Sequence, residues 1–334
     1  MSESSTREKN RGTKDHAESE RSGRKSVDSA ASDAGTVDQR LEGLPHIEAF
    51  GHRYHASGKI FFPSDRAERE RNEIQHRLFR LCLDGELTAT RLPRDVGRIA
   101  DLGTGTGVWA VEMAARYPQA RIVGVDVYPM QRRKGVPPNV RFAVADVEDA
   151  WDGFAAADAS LDFVHARGLA GGVRDWPALL RRARAKLRPG GLFEMTEIHM
   201  QVFDFDGKFA ETEAFPGFLQ LFRDLGARVG MEFNPSPLAL DWLIDADFEK
   251  IVQRSEILPL GTWAGDEKLQ ARQALMNKII ADHLDNHCGL LFTKCGLDKA
   301  DFEKKIPPLW EELRRLDKRP YITAIFTTAR KPRE

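Results

Sequence analysis

The chain has 334 residues, 50 basic against 51 acidic side chains, and a hydrophobic share of 41%. That length and apolar content support a full core in one large domain, or in one domain with a substantial insertion. The even charge balance gives no basic field to recruit nucleic acid as substrate. No apolar run approaches the ~20 residues of a membrane span, the start is too polar for a signal peptide, and Cys82, Cys288 and Cys295 argue against a disulfide framework and for a reducing compartment.

Residues 1–43 are polar and almost free of large apolar side chains, so they cannot bury enough surface to offset their ordering entropy and read as a disordered tail. The fragments KNRGTK and RSGRK within it read either as nuclear-import signals or as ordinary solvated tail. An entry segment follows over 44–95. Its helix is expected from Ser64 to Leu83, capped by Ser64 or Asp65, with Glu68 at capping-box spacing and an apolar stripe of Ile74, Leu78 and Leu81.

Residues 96–200 carry alternating strands and helices, the pattern of a doubly wound parallel sheet. Arg98 to Leu102 reads as a buried strand, and the helix beyond it starts at Val108. Between them lie Gly103, Thr104, Gly105 and Gly107. Glycine permits positive φ and lets a ligand approach the main chain closely, and the free N–H groups of a helix start suit an anion. Asp101 can orient the turn or accept from a ligand ammonium. Asp126 ends the next strand roughly 20 residues on, the usual offset for a ribose acceptor, with Val127 beside it. A dinucleotide fingerprint G-x-G-x-x-G requires glycine at position 108, where this chain has Val108, so the spacing favours S-adenosyl-L-methionine over NAD or FAD.

Further along, VRFAVADVEDAW reads as a strand ending at Asp146, whose carboxylate can accept from an adenine amino group while the Val147 N–H donates to a ring nitrogen. LDFVHARGL is another buried strand with His165 and Arg167 at its exit, and a helix stops at Pro189-Gly190-Gly191 before the strand GLFEMTEI. All these strand ends emerge on one edge of a parallel sheet, where open α/β folds bind ligands. From Met200 the pattern turns mostly helical, with helices expected over 215–225, 237–244 and 267–284 and a stretch over 297–316 that Pro307-Pro308 must split. Residues 201–318 then form a lid or substrate region, and YITAIFTTAR in 319–334 reads as a final strand.

The order DLGTGTGVWA, VGVDV, ADVEDAW, LDFVHARGLAGGVRDWP and LRPGGLFEM resembles the class I S-adenosylmethionine-dependent methyltransferases. GHRYHASGKIFFPSDRAERER and LPLGTWAGDEKL narrow the resemblance to their LaeA-like fungal branch, over residues 47–332. The resemblance implies a Rossmann-like seven-stranded sheet with a helical insertion before an antiparallel last strand, and a part in fungal secondary metabolism. It also implies that the Tyr54–His55 segment folds over the cofactor, so Tyr54 either donates to the methionine carboxylate or anchors the segment.

Methyl transfer from a sulfonium asks mainly for alignment and exclusion of water, so no fixed catalytic signature is required. The candidates for direct roles are His165, Arg167 and His199, with Glu197 beside His199. A guanidinium at Arg167 holds a ligand carboxylate or a structural acid. His283 and His287 share a helix face near Cys288 and Cys295, but the spacing fits no common zinc pattern. The acceptor is a small molecule or a protein, reached through oxygen or nitrogen. The alternative is a non-catalytic cofactor-binding subunit of a nuclear regulatory complex, with protein partners. Either way the expected compartment is cytoplasm or nucleus, with no membrane contact.

Overall fold

A hairpin of β1 (His46–Ala49) and β2 (His52–His55) leads into helix α1 (Arg66–Cys82). The structure, a computed structural model, describes residues 43–132, 134–153, 158–205, 207, 213–315 and 318–334, without the side chains of 282–288. The tail read as disordered therefore lies outside the described residues, and so do the side chains of His283, His287 and Cys288. Among the described residues, no cluster of His, Cys, Asp or Glu could hold a metal ion. No helix among them is long and apolar enough to cross a membrane.

Helix α1 begins where the sequence caps it. The Asp65 carboxylate accepts from the Glu68 N–H at 3.1 Å. The reciprocal half of a capping box is not made, because Glu68 turns instead to Arg71 and Asn72.

The core is a seven-stranded sheet. Its strands are β3 (Arg98–Leu102), β4 (Arg121–Asp126), β5 (Val140–Val144), β6 (Leu161–Arg167), β7 (Leu187–Asp204), β8 (Glu249–Pro259) and β9 (Pro320–Arg330). They lie in the order β5-β4-β3-β6-β7-β9-β8. β3 to β7 run parallel, while β9 lies antiparallel between β7 and β8. Chain order reverses at β3, so the turns after β3 and β6 open beside each other on the carboxyl edge, where a ligand crevice forms. Helices α2 (Val108–Arg116) and α3 (Trp176–Lys186) cover the sheet.

The region after β7 contains α4 (Ala214–Arg228), α5 (Ala239–Asp245), α6 (Glu267–Lys294), α7 (Lys299–Glu303) and α8 (Ile306–Leu313). Pro307 and Pro308 fall in the first turn of α8, where a missing N–H costs nothing.

Three expectations are corrected. β8 lies inside the region read as helical, because its charged, largely exposed residues hide the strand pattern. β7 starts at Leu187 and runs through Pro189-Gly190-Gly191 rather than after it. Gly190 takes φ +75° there, and the register with β6 shifts between Leu161 and Phe163. Among the described residues no helix joins β4 to β5, so the alternation is incomplete.

One apolar cluster unites α1, α4, α6, α7, α8 and β9 through Phe79, Phe218, Phe222, Phe292, Phe302, Leu309 and Phe326. A second packs α3 and α5 against the sheet, with Trp176 stacked on Trp242 at 6.1 Å. The two faces are sealed separately, and the crevice opens along the carboxyl edge.

Candidate active site

The glycine turn forms as its sequence requires. Gly103, Gly105 and Gly107 all have positive φ, at +63°, +54° and +76°. A Cβ on Gly103 would meet Leu169 Cδ2 at 2.1 Å, and one on Gly107 would meet the Phe142 ring at 2.4 Å. Gly105 differs: a Cβ there makes only ordinary 3.6 Å contact with Asn72. Gly103 and Gly105 thus face the cavity, whereas Gly107 caps α2 against the sheet.

Two strand-end carboxylates flank the turn. Asp126 accepts from the Gly105 N–H at 2.8 Å and the Tyr128 N–H at 3.1 Å. Burial lifts its pKa to about 6 against the pull of those amides. Asp146 accepts from the Glu148 N–H at 2.9 Å and faces the same cavity, with Val127 and Val147 beside it. His55 and Phe62 cover one side of this cavity, and Leu169 and Val173 the other.

Asp101 is buried behind the turn, where the Thr104 hydroxyl donates to it at 2.6 Å and His165 Nδ1 lies 2.7 Å away. Of its two expected roles the geometry shows the orienting one. His165 is itself buried, its ring stacked on Trp109 at 3.8 Å. It lines neither ligand cavity, so its expected place beside the reacting groups is corrected: it braces Asp101 from behind. Trp109 packs as a core residue and donates to the Leu87 carbonyl at 2.8 Å. Tyr54 is fully buried in the apolar cluster and is not part of the cavity wall, so of its two readings the anchor is the one its position matches.

Arg167 does reach the cavity. Its guanidinium donates to His76 Nδ1 at 3.0 Å and lies over the Phe79 ring at 5.4 Å. Its neutral partner is held so by the surroundings: burial first, then the charge of Arg167, press the His76 pKa down to about 3. Burial also lowers the pKa of Arg167 to about 10.

Helix α1 supplies the residues that sequence reasoning missed. Glu68, Arg71, Asn72 and Gln75 follow an i, i+3, i+4, i+7 pattern and turn toward the site. Arg71 grips Glu68 with two hydrogen bonds of 2.8 and 2.7 Å while both are buried. The spacing alone could not have found them: polar residues recurring at helical intervals look like a solvated face until the packing of the helix is known.

A second, partly open cavity adjoins the first. Phe215, Phe218, Phe222, Phe233, Met276 and Ile279 dominate its wall, and α4 and α6 close over it. It shares Phe62, Arg71 and Gly168 with the first cavity. Its polar side chains are Arg71, Gln75 and Glu197. Glu197 accepts from the Leu169 N–H at 2.7 Å and the Ala170 N–H at 3.3 Å, and burial raises its pKa to about 7. Its neighbour His199 is not in either wall: its ring packs on Phe203 at 5.5 Å, which corrects its candidacy for a direct role.

A family model described as a methyltransferase domain matches residues 74–234. The chain is 31% identical to methyltransferase pytC of Aspergillus terreus, over 92% of this chain and 93% of that one. It is also 33% identical to the secondary metabolism regulator laeA of Monascus pilosus, over 77% of this chain and 70% of that one. The chain belongs to the LaeA-like branch of the S-adenosylmethionine-dependent methyltransferases. Against the protein-methionine methyltransferase laeA of Emericella nidulans it is again 33% identical, over 72% and 64%. As a methyltransferase of this branch it uses S-adenosylmethionine, and the first cavity fits that group. The cavity offers close main-chain approach at Gly103 and Gly105, a carboxylate at each of two strand ends, and apolar sides for a flat base. Bound there, the cofactor supplies a methyl group activated on a sulfonium.

Proposed function

We propose that this methyltransferase acts on a small, largely apolar molecule in fungal secondary metabolism, at oxygen or nitrogen. The observation that carries the reading is the phenylalanine-lined cavity beneath α4 and α6, which meets the donor cavity at Phe62, Arg71 and Gly168. In the donor cavity Asp126 suits the ribose hydroxyls, and Asp146 with the Val147 N–H suits the adenine edge. Gly103, Thr104, Gly105 and Arg167 suit the amino-acid end, with Gly107 and Asp101 setting the turn and His165 and Tyr54 supporting from behind. The chain's own work is then alignment and exclusion of water, because a sulfonium is already a good leaving group. Three cysteines with no disulfide framework expected suit a reducing compartment, cytoplasm or nucleus, for this work.

Purified protein incubated with methyl-labelled S-adenosylmethionine and fungal extract tests the reading. Label is expected in the organic-soluble fraction. Label confined to protein bands would transfer the assignment to a macromolecular acceptor. No transfer at all, with binding of S-adenosylhomocysteine intact, would favour a non-catalytic regulatory subunit. S-adenosylhomocysteine at 100 times its Kd should add ~2.7 kcal/mol of stability, whereas NADH should add none.

A further inference from the structure

The acceptor cavity is almost wholly apolar, so its few polar side chains decide which head group it receives. They gather at the mouth it shares with the donor cavity. Arg71 is the obvious clamp for a carboxylate, but its charge is already paired with Glu68. Two of its bonds go to the Glu68 carboxylate, and a third goes to Asn72 Oδ1 at 3.2 Å. The pair is buried, so detaching Arg71 for a ligand would strand the Glu68 charge. Gln75 offers a neutral amide. That leaves Glu197 as the one ionisable group of this wall not committed to an opposite charge.

Glu197 is held in place by the main chain. It sits on β7 directly behind the segment 168–170 that divides the two cavities, and its oxygens receive the Leu169 and Ala170 N–H groups. Leu169 in turn packs against Gly103 of the donor turn. A carboxylate has about four lone-pair sites, so acceptor capacity remains on the cavity side. An anionic head group there would meet a buried negative charge, and a hydroxyl would meet a hydrogen-bond acceptor.

Resting on the methyltransferase reading above, we propose that the acceptor presents a hydroxyl, phenolic or enolic, to Glu197, and that Glu197 takes its proton as oxygen attacks. The O–H electron pair stays on oxygen and its lone pair forms the new O–CH3 bond. The electron pair of the breaking S–CH3 bond remains on sulfur, and the proton ends on the Glu197 carboxylate. With burial holding the pKa of Glu197 at about 7, the group can take that proton and return it to solvent in each cycle. Carboxylate acceptors are excluded by the same charge, so the product is an ether and not an ester.

The test is binding, by calorimetry at pH 8, to protein saturated with S-adenosylhomocysteine. The probes are naphthalene, 2-naphthol and 2-naphthoate, which share one apolar body. 2-Naphthol is expected to bind roughly tenfold tighter than naphthalene, the gain of a hydrogen bond to a charged group, and 2-naphthoate weakest. In Glu197→Gln the gap between 2-naphthol and 2-naphthoate should close, with S-adenosylhomocysteine binding confirming an intact donor side. The wild-type ranking stands without any variant: 2-naphthoate binding tightest would overturn the proposal. So would an unchanged ranking in a folded Glu197→Gln protein. Failure of all three probes, naphthalene included, would remove the small-molecule cavity itself and this assignment with it.

Discussion

A methyl group added at any of the three turn glycines meets a different obstacle, and the difference sorts their roles. At Gly107 the added Cβ strikes the Phe142 ring at 2.4 Å with φ at +76°, so Gly107→Ala combines backbone strain with overpacking. Its cost should be ~1–2 kcal/mol from the left-handed backbone and ~1–3 kcal/mol more from the clash, visible as a lower urea midpoint. Gly105→Ala meets no such clash but carries the same left-handed strain, ~1–2 kcal/mol at φ +54°; it should cost less stability than Gly107→Ala and weaken S-adenosylhomocysteine binding, read by calorimetry. Buried carboxylates make a second residue-scale prediction. Burial raises Glu197 to about 7 and Asp126 to about 6, each above its unfolded value. The folded protein therefore holds these protons over a pH range where the unfolded chain has released them, and the part of the stability these two groups set falls as pH rises from about 4 to 7. Glu197→Gln should flatten the upper part of that slope in thermal melts, and an unchanged slope would assign it elsewhere. Asp101 and Asp126 were legible in the sequence because a strand end fixes where a carboxylate emerges. Tyr54 and His165 were not, since a polar aromatic ring serves equally in a wall or behind one, and only burial separates the two.

At the scale of elements, α1 does more than pack beside the core. Its start is fixed by Asp65, which receives the Glu68 N–H and also lies 2.7 Å from His52 Nδ1 on the covering hairpin. Asp65→Ala should cost ~1 kcal/mol as a lost cap. It should also weaken S-adenosylhomocysteine binding, because Glu68, Arg71 and Asn72 lie on the first turns that the cap sets. A stability loss with no change in affinity would limit Asp65 to capping. The helix was legible from Pro63, Asp65 and the Ile74–Leu78 stripe; its functional face was not, because buried polar residues resemble a solvated surface until the neighbours are known. β8 escaped for a similar reason. An edge strand half in water can carry Lys250 and Arg254 without penalty, Glu256 is held there by ion pairs to Arg254 and Arg272, and the pairing with β9 is set by residues some seventy positions away.

Over the whole molecule, the cavity proposed to hold the donor was readable in the sequence and the one proposed to hold the acceptor was not. The first is built from backbone conformation and strand ends, which only certain residues permit, so Gly103, Gly105, Asp126 and Asp146 mark where it forms. The acceptor cavity gathers Phe62, Ile198, Phe222, Met276 and Ile322 from distant parts of the chain. Phenylalanine, isoleucine and methionine at helical spacing look the same in any core.

That division bears on how such an enzyme changes in evolution. Beyond Phe62, α1 and the 168–170 segment, the two cavities draw on separate stretches of chain. Substitutions along α4 and α6 can therefore reshape what is methylated while the reagent stays the same. A lineage can then diversify its products one wall at a time, and sequence drift should run faster over 214–294 than over 98–147.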